Sequence, residues 1–154
     1  MKVKEQKRSY STECYNEMKL RLPSLSVNEG MARAAVAAFC AQLDPTPSEL
    51  ADIKCAVSEA VTNCIVHAYK DTIGTIYINV KIYSNGGIKI EIKDKGCGIE
   101  DVKKARQPLF TTDSENERSG MGFTVMESFC DKVRVSSVCG KGTKIILFKQ
   151  LAGR

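Results

Sequence analysis

The chain contains no stretch of about 18 or more apolar residues, and its opening, MKVKEQKRSY, lacks the apolar centre of an export signal. Neither a membrane-spanning helix nor secretion is expected, and the reading is a cytoplasmic protein. Seven cysteines are present, at 14, 40, 55, 64, 97, 130 and 139, yet no two form a Cys-x-x-Cys pair. Without an export signal they read as reduced thiols, and a thiolate metal site lacks its usual spacing. Cys40, Cys55, Cys64 and Cys130 fall in apolar helical patterns, where a free thiol packs as a small hydrophobe. The Gly-Lys-Ser/Thr ending of a P-loop is missing, and no internal repeat is visible. There is one histidine, His67.

What remains is an ordinary apolar and charged balance, 43% and 27% of 154 residues, enough for one domain with a real core. The net charge of +5 is spread along the chain and not gathered into one tract. Such an excess could favour ATP or an acidic protein surface, its bland alternative being a solvated basic exterior.

Residues 1–17 mix Lys, Glu, Ser and Tyr without an apolar period and read as a flexible extension. The domain is expected over 18–150, with 151–154 as a tail. Residues 18–25 alternate as an edge strand interrupted by Pro23. Ser26 and Glu29 have capping-box spacing ahead of a helix ending near Leu43. Thr46-Pro47-Ser48-Glu49 opens a second helix, expected to run to about Tyr69. Ile76 to Ile82 and Ile88 to Ile92 alternate around Asn85-Gly86-Gly87 as a hairpin, and a helix near 121–130 precedes a closing hairpin over 132–138 and 141–150. Residues 96–120 form a long Gly-rich loop with a short helical possibility near 100–105. Helices grouped before and between hairpins imply an α+β two-layer sandwich, with helices on one face of a mixed, mainly antiparallel sheet.

Three segments carry candidate chemistry. On the second helix Glu59, Asn63 and His67 recur every four residues as a polar stripe flanked by apolar positions. An amide oxygen is a hard ligand suited to Mg2+, and a nearby carboxylate can take a proton from an attacking hydroxyl. His67 by itself reads more readily as a satisfied structural histidine than as a catalytic one. Asp94-Lys95-Gly96-Cys97-Gly98 follows a strand: its carboxylate can accept from an exocyclic amine such as adenine's, or the segment is simply a turn. Glu117-Arg118-Ser119-Gly120-Met121-Gly122-Phe123 enters a helix, where exposed N–H groups suit phosphate. Arg118 could add charge near a γ-phosphate, or be a surface residue.

In this order EAVTNCIVHAY, DKGCGI and ERSGMGF resemble the N, G1 and G2 boxes of the Bergerat-fold (GHKL) superfamily. RQPLFTTDSENERSGMGFTVME and AAFCAQLDPTPSELADIKCAVSEAVTN are similar to the anti-sigma-F factors of endospore-forming bacteria, a family of protein-serine kinases within it. The resemblance spans roughly Met18 to Phe148. It implies Glu59 as general base, Asn63 as the Mg2+ ligand and Asp94 as the reader of adenine. Gly96, Gly98, Gly120 and Gly122 would shape the ATP pocket, under a lid over 106–119. His67, Thr112, Ser119, Met121, Phe123 and Thr143 complete the candidate nucleotide contacts, with Arg118 beside the transferred phosphate. The family's homodimer binds a sporulation sigma factor, for which Arg33 is the counterpart residue, and phosphorylates a serine of an anti-anti-sigma protein, releasing ADP. No direct nucleic-acid or membrane contact is implied. Alternatives are a non-catalytic binding module that uses ATP to order its partner surface, a related stress-response kinase, and a chaperone or mismatch-repair type ATPase.

Overall fold

The computed structural model describes residues 13–107 and 122–153. In chain order the elements are β1 (Cys14–Pro23), α1 (Asn28–Cys40) with a 3-10 turn (Ala41–Leu43), and α2 (Pro47–Asn63) with one π turn (Cys64–Ala68). They are followed by β2 (Thr75–Tyr83), β3 (Gly87–Lys93), α3 (Val102–Ala105), α4 (Gly122–Phe129), β4 (Lys132–Val138) and β5 (Gly142–Gln150). The strands form one sheet in the order β1-β2-β3-β5-β4. All four ladders are antiparallel, where the sequence allowed a mixed sheet.

Strict alternation builds the core. Ile76, Ile78, Val80 and Ile82 of β2, Ile88, Ile90 and Ile92 of β3, and Ile145 and Leu147 of β5 are buried on one face. Against that face lie α1, α2 and α4, with α2 in contact with both of the others and supplying Ile53, Ala56, Val57, Ala60 and Val61. Burying such side chains contributes about 1.5–3 kcal/mol each for the larger ones, which is why the period of two in the strands dictates the layers.

The two expected helix starts differ. At Thr46 the capping box forms: its hydroxyl accepts from Glu49 N–H at 3.1 Å, the Glu49 carboxylate accepts from Thr46 N–H at 2.9 Å, and Pro47 takes the first helical position. At Ser26 no side-chain cap forms, and α1 begins at Asn28. The Glu29 carboxylate, expected to reach back, instead accepts from Ser58 Oγ at 2.5 Å and from Arg33 at 3.3 Å.

Both ends of the domain reach further than expected. β1 starts at Cys14, so Cys14, Asn16 and Glu17, read as part of the extension, pair with β2 across a register shift at Tyr15. Leu151, read as tail, is 1% exposed, and its N–H donates to Gly86 O at 3.0 Å. Cys55 is exposed rather than packed, while Cys40 and Cys64 are buried and every described cysteine is free. Burial pushes the Cys40 thiol up to about 12 and that of Cys130 up to about 11, leaving both as inert packing groups. No described helix is long and apolar enough to cross a membrane.

Candidate functional site

The polar stripe lies on the last turns of α2. Glu59 and Asn63 are half-buried on the helical spacing expected for them, and α4 begins directly against them. A β-carbon added at Gly122, the first residue of α4, would stand 3.4 Å from Glu59 Oε2 and 3.6 Å from Asn63 Oδ1. Two oxygens thus converge on the N-terminus of an eight-residue helix, where the unpaired N–H groups and the dipole favour negative charge. Phe123, expected at the nucleotide, turns its side chain into the core at 8% exposure. It leaves only its backbone to the site.

Beyond Asn63 the helix widens. Tyr69 N–H donates to Cys64 O at 3.0 Å, closing a π turn, so His67 follows Asn63 over a wider turn than the regular stripe assumes. What holds this turn is the Gly96 loop. Cys97 N–H donates to Ala68 O at 3.1 Å, and the Cys97 thiol donates to His67 O at 3.3 Å. The loop approaches so closely that a β-carbon on Gly96 would fall 2.2 Å from Ala68 O; glycine is required there by contact with backbone. Gly98 adopts φ +76°, the left-handed region that glycine enters without penalty. Tyr69 pins the other side: its hydroxyl donates to Thr75 O at 2.7 Å and accepts from Lys95 N–H at 2.6 Å.

Asp94 sits between these elements at 5% exposure. Its Oδ1 accepts from Gly96 N–H at 3.0 Å and from Thr143 N–H at 3.2 Å, while the Cys64 thiol donates to Oδ2 at 3.7 Å. Among the described residues Oδ1 takes both backbone donors, and the donor at Oδ2 is the weak Cys64 thiol. Burial raises the Asp94 carboxyl above its ordinary value of 3.8, and the two backbone N–H donors and the Cys64 thiol hold back part of that rise. The result is a buried acceptor whose Oδ2, bonded only weakly, has capacity for a further donor. Thr143 is brought to the site through its backbone, with its hydroxyl 2.8 Å from Ser137 Oγ.

Of the remaining expected residues, Arg33 stands on α1, within 3.3 Å of Glu29 and 3.4 Å of Ser58 Oγ, the neighbour of Glu59. Thr112, Arg118, Ser119, Gly120 and Met121 lie outside the described residues, as does the candidate lid from residue 108 onward. Cys64 and Tyr69 are the contributors that sequence reasoning did not single out. Cys64 follows Asn63 directly, but a thiol in an apolar helix signals packing and nothing more. Tyr69 closes the HAY tripeptide, and its partners are six and 26 residues away.

A helical layer over an antiparallel sheet, with this stripe and this strand-end aspartate, defines a histidine kinase-like ATPase domain, and that family matches residues 22–149. The Anti-sigma F factor of Caldanaerobacter subterraneus subsp. tengcongensis is 59% identical over 136 residues, covering 88% of this chain and 94% of that one. That of Geobacillus sp. strain WCH70 is 56% identical over 137 residues, covering 88% and 93%. The chain belongs to the anti-sigma F factor family. Among solved structures, the RsbU and RsbW domains of a Mycobacterium tuberculosis protein superpose with a TM-score of 0.65 at 20% identity, over 88% of this chain and 32% of that one. A blue-light activated histidine kinase domain from Erythrobacter litoralis gives 0.52 at 17%, over 80% and 61%. At those identities the likeness shows the fold.

Proposed function

We propose that the protein binds ATP with Mg2+, transfers the γ-phosphate to a serine of an antagonist protein, and holds a sigma factor inactive as a homodimer. Membership in the ATPase domain family supports nucleotide binding, and the relatives' name supports a sigma factor as partner. The observation that carries the kinase reading is the convergence of Glu59 Oε2 and Asn63 Oδ1 on the N-terminus of α4. Asn63 Oδ1, a hard neutral oxygen, would hold Mg2+, with the Glu59 carboxylate left as the base. The ion is bound by one or two protein oxygens and keeps its remaining positions for water and phosphate, and no cluster of three or more ionisable ligands exists among the described residues to demand another metal. When bound it would neutralise phosphate charge.

The chain's own groups do the rest. Asp94 Oδ2 accepts from the exocyclic amine of adenine, and the α4 N–H groups receive phosphate oxygens. Glu59 takes the proton of the serine hydroxyl as its oxygen bonds to the γ-phosphorus; the bridging P–O bond breaks and ADP leaves with the electron pair. Arg118 would add charge at the phosphate, and Gly120 with its neighbours would line it. Arg33, on the exposed side of α1, is the proposed sigma contact.

The test is intact-mass detection of phosphate on the antagonist after incubation with Mg·ATP, run beside Glu59→Gln. Transfer by the native protein, abolished in the variant while ATP still raises its melting temperature, is the expected result. Equal transfer by the variant would remove Glu59 as the base. Binding of ATP and capture of the sigma factor without any phosphoprotein would instead make this a nucleotide-ordered binding module.

A further inference from the structure

Four cysteines are exposed, Cys14, Cys55, Cys97 and Cys139, and the fold carries two of them to one place. Cys97 belongs to the Gly96 loop, and Cys139 sits in the turn between β4 and β5. The two segments run side by side. Gly140 N–H donates to Cys97 O at 2.7 Å, and Ile99 N–H donates to Ser137 Oγ at 2.7 Å. Between these bonds, a β-carbon on Gly98 would fall 3.0 Å from the Cα of Cys139. Standard backbone geometry on either side of the Gly140 bond keeps the Cα atoms of Cys97 and Cys139 within roughly 7.5 Å of one another. A disulfide spans about 4.4–6.8 Å between Cα atoms, so at most a small approach is needed. The other exposed thiols stand elsewhere, Cys14 at the start of β1 opposite Tyr83 and Cys55 on α2.

Both segments hold Asp94. Gly96, next to Cys97, and Thr143, in β5, donate to its Oδ1 at 3.0 and 3.2 Å. The Cys97 thiol donates to His67 O at 3.3 Å, one of the two bonds from Cys97 to the π turn after Asn63. A disulfide sulfur has no proton to donate, so bonding to Cys139 removes that tie. We propose that Cys97 and Cys139 are a redox pair, oxidised by a peroxide, whose disulfide loosens the π turn and weakens nucleotide binding; the effect on nucleotide rests on the function proposed above. One thiolate attacks the peroxide, the O–O bond breaks, and a sulfenic acid and water form. The other thiolate then attacks that sulfur, the S–S bond forms and the S–O bond breaks. Two thiols thus give two electrons and two protons to the peroxide, leaving one disulfide and two waters, and a thiol reductant reverses the step.

The full chain, reduced and then treated with hydrogen peroxide at low protein concentration, is blocked with iodoacetamide and read by intact mass and peptide mapping, beside Cys97→Ser and Cys139→Ser. The native chain should lose the mass of two hydrogen atoms in one bond mapped to Cys97 and Cys139, and neither variant should form it. ATP-induced thermal shifts should give the oxidised protein an affinity about threefold or more below that of the reduced one, restored by dithiothreitol. Cys139→Ser, which keeps the Cys97 thiol on His67 O, should bind ATP like the reduced native chain. A bond mapped to Cys14 or Cys55, a bond between chains, or thiols carried to sulfinic acid without any bond would overturn the pair. Equal ATP affinity in the two redox states would overturn its effect on nucleotide. A reduced protein that binds no ATP would remove the nucleotide reading instead, and the mapped bond would still decide the pair.

Discussion

Asp94 is a carboxylate held by the fold in a buried place. Burial favours its protonated form, so the folded protein binds a proton more tightly than the unfolded chain does. Folding stability therefore falls as pH rises from the ordinary carboxylate value of 3.8 through the raised one. In the proposed function the amine of adenine donates to the ionised carboxylate, so nucleotide affinity should move in the opposite sense, declining as pH drops through the same window. Asp94→Asn presents an amide N–H where an acceptor is required. It should weaken ATP binding about tenfold or more and abolish this acid limb, as read by calorimetry against pH. An unchanged limb in the variant would assign the pH dependence to another group. From its own segment Asp94 reads as an acceptor or as part of a plain strand-ending turn, and its burial and its hydrogen bond from Thr143 N–H, 49 residues away, are tertiary. The role of the Cys64 thiol beside it likewise depends on a contact 30 residues away.

Caps and turns are where elements followed or departed from their local sequence. Ser26-x-x-Glu29 and Thr46-x-x-Glu49 share the same spacing, and only the second forms a reciprocal cap. The difference is tertiary: α2 brings Ser58 and α1 brings Arg33 to Glu29, and a short hydrogen bond outcompetes the cap. Thr46→Ala should cost about 1 kcal/mol, whereas Ser26→Ala should stay within about 0.5 kcal/mol of the native stability in urea denaturation. Equal losses would mean that Ser26 caps α1 in solution. The π turn after Asn63 is likewise invisible locally, because nothing in CIVHA forbids an α-helix. The turn is closed by Tyr69 N–H on Cys64 O and tied down by Cys97. Strands β2 to β5, by contrast, were legible almost to the residue: a period of two, set by one buried face, leaves little freedom in register.

For the whole molecule, the architecture of helices on one face of a five-stranded sheet follows from these periods, while its boundaries do not. Polar alternation in residues 14–17 reads as disorder until β2 is present to pair with it, and Leu151 reads as tail until a buried space receives it. That last residue joins distant parts of the fold. Leu151 N–H donates to Gly86 O in the β2–β3 turn, and Ala152 N–H donates at 2.9 Å to Glu49, whose other oxygen caps α2. The C-terminal residues therefore fasten the start of α2 to the far end of the sheet. Leu151→Ala removes a fully buried side chain and should cost about 2–5 kcal/mol. A chain ending at Gln150 should lose at least as much, lowering the melting temperature by roughly 5 °C or more. It should still bind ATP at low temperature, because Glu59, Asn63 and Asp94 lie on the last turns of α2 and just after β3, whereas Leu151 and Ala152 bond to Gly86 and Glu49. Full stability without residues 151–154 would show that the contacts at Gly86 and Glu49 contribute nothing, and would return the boundary to Gln150.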